Sequence, residues 1–158
     1  VTMNQDHLAL AIRLARDNVL DSGGRPFGAV LVRGDDVLAT GVNEVLATND
    51  PSRHAEMQAI RAAAATLKTV HLEGCVMYAS GHPCPMCLSA IHMTGIKEVY
   101  YAYSNEDAEK CGMSTARIYA EMAKPLSQQS IRIEHVPPRN GGETPFDCWQ
   151  RKRASSSR

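Results

Sequence analysis

Apolar residues recur at helical spacing at Leu8, Ile12, Ala15 and Val19, which predicts an amphipathic helix over residues 4–20, ended by Ser22-Gly23-Gly24. Residues 27–32 form a short apolar run, the mark of a buried strand. Arg33-Gly34-Asp35-Asp36 reads as a hairpin turn that returns residues 37–42 as a second strand. Turn and capping residues fill 48–52, and the alanine-rich stretch 54–67 predicts a helix. Residues 75–79 and 98–103 read as strands flanking a helix over 83–94, which Gly95 stops. A helix over 117–123 ahead of Pro125, a fifth strand over 131–136 and a short closing helix over 146–152 complete the pattern. This order predicts a three-layer α/β/α domain with a mixed central sheet of about five strands.

The chain has 158 residues, enough to bury a core without staples, and the pattern reads as a single domain over residues 1–150. Residues 151–158 read as a basic, serine-rich and flexible tail. A hydrophobic share of 44% excludes a disordered chain. The net charge is zero and the pI near 7.1, which argues against a nucleic-acid partner. No apolar run approaches the length of a membrane span, and no secretion signal is visible. Five cysteines make an odd number and two of them sit in Cys84-Pro85-Met86-Cys87, so reduced thiols and a cytoplasmic setting are expected.

Two short motifs carry chemistry. His54-Ala55-Glu56 opens one predicted helix, and Pro83-Cys84-Pro85-Met86-Cys87 opens another. Cys84 and Cys87 are three apart and share a helix face. Pro85 suits the first helical position, which puts Cys84 at the cap and Cys87 in the first turn. The positive end of the helix dipole favours thiolate there, and thiolate is what zinc needs. His54 and Glu56 are two apart and converge only at a helix end. Two other readings exist. A redox Cys-x-x-Cys leaves His54 and Glu56 without a task. A closed structural zinc site needs a fourth ligand, for which Cys75, Cys111, Cys148, His82 and His92 are chemically able.

His-x-Glu followed by Pro-Cys-x-x-Cys resembles the zinc signature of the cytidine deaminase superfamily, and within it the bacterial guanine deaminases. Pro26-Phe27-Gly28-Ala29-Val30, Asn43, the stretch from Asn49 to Glu56, Ile118-Tyr119-Ala120-Glu121 and Phe146-Asp147-Cys148-Trp149 are similar as well. The resemblance implies a zinc-dependent hydrolase that releases ammonia from a free aminated heterocycle, with guanine the leading substrate. Cytosine, isocytosine, a pterin, an aminotriazine or a creatinine-like ring are alternatives. So are tRNA adenosine and a non-catalytic zinc-binding module. It implies His54, Cys84 and Cys87 as zinc ligands and Glu56 as the catalytic proton shuttle. Phe27 would stack on the ring and Asn43 bind its edge, while the Ala55 N–H and a carbonyl near Ser80 would hold the amidine. It further implies a homodimer with the C-terminal segment swapped onto the partner. His82 stands where guanine deaminases have glutamate, and Met93 where they have an aromatic. Gly112-Met113-Ser114-Thr115 lacks the acidic side chain they carry there, so guanine is expected to be a weak substrate.

Overall fold

The computed structural model describes residues 3–156. Helix α1 (Gln5–Ser22) starts on an Asn4 cap, whose side chain accepts the Asp6 N–H, and stops at Gly23 in the left-handed conformation. Strand β1 (Gly28–Arg33) turns through Gly34 and Asp35 into β2 (Asp36–Val42). A single helical turn, α2 (Val45–Thr48), leads to α3 (Ala55–Leu67). Then come β3 (Cys75–Gly81), α4 (Pro85–Thr94), β4 (Glu98–Tyr103), and the short helices α5 (Asn105–Glu109) and α6 (Ala116–Met122).

The sheet runs β2-β1-β3-β4, with β1 antiparallel to both β2 and β3, and β3 parallel to β4 across α4. Alternation along β1 and β3 divides the core. Ala29, Leu31, Cys75 and Met77 pack with Ala55, Ala59, Ile60, Ala63 and Ile91 of α3 and α4. Val30, Val32, Val76 and Tyr78 pack with Ala11 of α1. Both strands are covered on two faces, which is why they read as unbroken apolar runs. Three layers are therefore present as expected.

The sheet has four strands, not five. Residues 131–136 pair with no strand among the described residues, and Ile131, Ile133 and Val136 are exposed. Their alternation is strand-like, but a strand exists only through a ladder partner, and Pro137-Pro138 remove the next two donors. This stretch belongs to residues 124–158, a compact unit separate from residues 1–123. The smaller unit holds a 3₁₀ turn (Leu126–Gln128) and α7 (Pro145–Ser156). Thr144 and Asp147 form a reciprocal cap at the start of α7, with Pro145 next in line. Arg151 pairs with Glu143 at 2.8 Å, and α7 carries the expected tail as helix through Ser156, while Ser157 and Arg158 lie outside the described residues.

Candidate active site

The chemistry-bearing side chains meet at the N-termini of α3 and α4. His54 is the extended cap of α3, and Cys84 the extended cap of α4, with Pro85 beginning the helix. Cys84 Sγ accepts the Cys87 N–H at 3.5 Å and lies 3.4 Å from His54 Nδ1. The turns come this close because of Gly41 in β2. A Cβ there would stand 2.2 Å from the Ala55 carbonyl oxygen and 2.8 Å from the Ala59 nitrogen, so only glycine admits the first turn of α3 against the sheet.

One ligand atom from each of His54, Cys84 and Cys87 lies within 4.8 Å of the other two. Tetrahedral zinc, with bonds of about 2.3 Å to sulfur and 2.0–2.1 Å to nitrogen, sets its ligands roughly 3.3–3.8 Å apart, so the three fit one ion. No fourth histidine, cysteine or carboxylate joins this group among the described residues. Cys75 lies in the core at the start of β3, and His82 packs edge-on against Tyr101 and Tyr119. The set is three ligands with a position left over, the pattern of a catalytic site rather than a closed structural one.

The electrostatics suit a cation. Hydrogen bonds from Cys87, then from the His54 ring, pull the Cys84 thiol down to about 4. Cys87 is pushed up, because it faces that thiolate and is buried. His54 is raised by its bond to Cys84, against burial and the nearby Arg25 charge. The group can thus hold one negative charge easily and a second only with a compensating cation between the sulfurs. Glu56 is buried, and burial raises its carboxyl above the usual range, although its bond with Cys87 works the other way.

A cavity of about 850 Å³ opens over this floor. Phe27, Asn43, His54, Glu56, Ser80 and Cys84 stand on its wall, while Ala55 and Cys87 are fully buried behind it. The Asn43 side-chain carbonyl accepts the Val45 N–H at 3.1 Å, so its amide NH₂ is what it can offer outward. The Ser80 hydroxyl accepts the Gly28 N–H at 3.0 Å. Ser114 and Thr115 do line the cavity. Met93, by contrast, points to solvent at 85% exposure.

Three residues escape sequence reading, Asn18, Arg25 and Asp107, and Tyr119 entered it without a role. Asn18 is a buried polar residue on α1, and its amide donates to the carbonyls of Arg25 at 2.8 Å and Asn43 at 2.9 Å, fixing both loops. Tyr119 donates its hydroxyl to the Pro83 carbonyl just ahead of Cys84, and His82 Nδ1 lies 3.0 Å from the same oxygen. Arg25 and Asp107 stand on the cavity wall. A lone asparagine in mid-helix was the one signal available, since such residues need a specific partner when buried.

Residues 1–103 match the family model described as the cytidine and deoxycytidylate deaminase zinc-binding region. The chain is 38% identical to a guanine deaminase of Bacillus subtilis over 153 residues, 93% of this chain and 94% of that one. The crystal structure of a Bacillus subtilis guanine deaminase superposes with a TM-score of 0.85 over 95% of each chain, at 38% identity. A tRNA-specific adenosine deaminase of Aquifex aeolicus is 29% identical over 92% of this chain and 93% of its own.

Proposed function

The chain belongs to the cytidine and deoxycytidylate deaminase family and is a zinc-dependent hydrolase of carbon–nitrogen bonds in cyclic amidines; within that family, we propose that it deaminates a free aminated heterocycle, with guanine the leading ring. The observation that carries this is the gathering of His54, Cys84 and Cys87 around one point beside the buried carboxyl Glu56.

His54, Cys84 and Cys87 would hold the zinc. Zinc in such a site supplies a Lewis acid that brings the pKa of water towards about 7. Glu56 takes a proton from the attacking water and passes it to a ring nitrogen, which makes the amino-bearing carbon electrophilic. The water oxygen bonds to that carbon. Glu56 then takes the second proton from that oxygen and delivers it to the amine, the carbon–nitrogen bond breaks, and ammonia leaves as the ring carbonyl forms. A carboxyl raised by burial suits this shuttling near neutral pH. Phe27 stacks on the ring, and Asn43 donates from its amide to a ring acceptor. The Ala55 N–H and a carbonyl near Ser80 hold the amidine.

Exposed apolar side chains support a homodimer. Met93, Tyr101, Tyr103, Ile118 and Met122 are bare on residues 1–123, and Phe146 at 81% and Trp149 at 65% are bare on α7. A second copy covers such faces, with α7 laid over the partner's site. Light scattering that finds only monomer would count against this. Five free cysteines support a reducing, cytoplasmic setting, and no described helix is long and apolar enough to cross a membrane. The neutral net charge supports a small substrate rather than RNA. An ammonia-release screen of the zinc-loaded chain across aminated purines, pyrimidines, pterins and triazines tests the whole reading. Silence on every ring refutes it.

A further inference from the structure

Asn18 lies on the buried face of α1, in line with Ala11 and Ala15. Its place is set by how closely α1 meets β1. A Cβ on Gly28 would stand 2.4 Å from the Ala11 carbonyl oxygen and 2.8 Å from the Ala15 nitrogen. The Asn18 amide donates to the carbonyls of Arg25 at 2.8 Å and of Asn43 at 2.9 Å. Both partners can only accept, so the amide must turn its NH₂ towards them and spend both hydrogens there.

These two bonds close a circuit. The Arg25 carbonyl also accepts the Phe27 N–H at 2.8 Å, across Pro26. The Phe27 carbonyl accepts the Asn43 N–H at 3.2 Å, and the Asn43 carbonyl leads back to Asn18. Phe27 and Asn43 are thus each held by both backbone polar groups. The Asn43 side chain is held in turn by the Val45 N–H at 3.1 Å. Asn18 supplies the only side chain in the four bonds of the circuit. Its own carbonyl accepts the Gly24 N–H at 2.8 Å and so ends α1, but any residue offers that carbonyl. The amide alone ties the residue before β1 to the residue after β2.

Resting on the deaminase reading above, in which Phe27 stacks on the ring and Asn43 binds its edge, we infer that Asn18 is the positioning residue that sets one against the other. Phe27 and Asn43 stand on the cavity wall, and Asn18 is buried behind them. A ring lying on Phe27 meets the Asn43 amide only if the offset between them is held, and a misplacement of about 1 Å can cost on the order of 10²-fold. The zinc ligands and Glu56 are held by α3 and α4 instead, so loss of Asn18 weakens ring binding and spares proton transfer.

Gly24 offers an independent handle on the same amide. A Cβ there would stand 2.5 Å from Asn18 Nδ2 and 2.9 Å from its Cγ. Gly24→Ala therefore displaces the amide while Asn18 itself remains.

The test compares Asn18→Ala, Gly24→Ala and the double variant as zinc-loaded full chains. Steady-state kinetics use guanine and whichever ring is fastest in the ammonia-release screen. Asn18→Ala raises KM about tenfold or more and changes kcat by less than about threefold, with zinc still near one per chain. Gly24→Ala acts in the same direction, but adds nothing once Asn18 is already alanine, because the amide it displaces is gone. Val76→Ala, in the core beneath α1, is the control: it lowers Tm and leaves KM alone. Amide hydrogen exchange reads the circuit without turnover. Phe27 and Asn43 exchange faster in both single variants, while α3 and α4 keep their protection. An unchanged KM in Asn18→Ala overturns the inference, as does a loss carried by kcat alone or full additivity of the two substitutions. If Asn18→Ala does not fold, Gly24→Ala decides by the same KM and exchange readouts. Normal turnover with unchanged KM refutes the positioning role alone. No ammonia from any ring refutes the deaminase reading, and the positioning role falls with it.

Discussion

At the floor of the cavity the side chains assigned a chemical task sit on or beside the first turns of α3 and α4 and are largely buried. Glu56 is 4% exposed, Cys84 8% and Cys87 0%. Their positions follow from packed helix ends, so small errors are costly and few residue types serve. The outer wall, residues 104–115, is a short helix and a loop whose side chains are half or fully exposed. Asn105 and Ser104 hold it together by local hydrogen bonds to Thr115 and Asp107 rather than by a core. The floor can therefore be preserved while the wall is rewritten. We assign reaction type to the first region and ring preference to the second, and substitutions should separate the two.

The largest effects fall on the floor. His54→Ala, Cys84→Ala and Cys87→Ala each drop zinc from about one per chain and abolish ammonia release, because three ligands share one ion. Metal analysis beside the activity assay checks this, and a metal-free variant with full activity would sink the ligand assignment. Glu56→Gln keeps zinc and fold but loses about 10²–10⁴ in kcat, the usual worth of a positioned acid–base group. Near-normal turnover would mean that another group moves the protons.

Gly41→Ala attacks the floor from behind. The new Cβ meets the backbone of Ala55 and Ala59, not a yielding side chain. Overpacking of this kind costs about 1–3 kcal/mol, or a fall in Tm of roughly 2–4 °C for each kcal/mol in a chain of this size. Activity should fall further than stability alone explains, since Ala55 lies between His54 and Glu56. An unchanged Tm would show that the close approach relaxes freely.

The smallest effect is on the wall. Ser114→Asp or Thr115→Asp supplies an acceptor and raises guanine turnover relative to the better ring by roughly fivefold, the worth of one ordinary hydrogen bond. Steady-state kinetics on both variants decides which position counts. If the unaltered chain already processes guanine with kcat/KM at or above about 10⁴ M⁻¹s⁻¹, the argument from the missing carboxylate fails.

The floor was legible because its signals are local. Cys84 and Cys87 lie three apart behind a proline that marks the helix start, and the structure puts Cys84 at the cap as that spacing requires. The strands at 27–32, 37–42, 75–79 and 98–103 were legible for the same reason, and each is found within two residues of its expected ends. Residues 131–136 misled because alternation reports which side chains could share a face, not whether a partner strand is there. Helix α5 went unread: five residues are too few to show a period, and its Ser104–Asp107 capping box alone marks it. Arg25, Asn18 and Asp107 are unremarkable letters in their own neighbourhoods. Only folding sets Arg25 and Asp107 on one cavity, with Asn18 holding the Arg25 and Asn43 carbonyls behind it.

Sequence alone determined the layers, the positions of the four strands that pair and the metal-binding chemistry, since each rests on residues close together in the chain; it also offered a fifth strand that the sheet does not contain. Tertiary structure decided the rest. His54 and Cys84 stand 30 positions apart, and their 3.4 Å approach exists because Gly41 lets a helix end settle on the sheet. Whether a fourth ligand closes the site and which carboxylate is spent on a cap are both set by which elements pack against which. Such pairings depend on the whole core, and no window along the chain contains them.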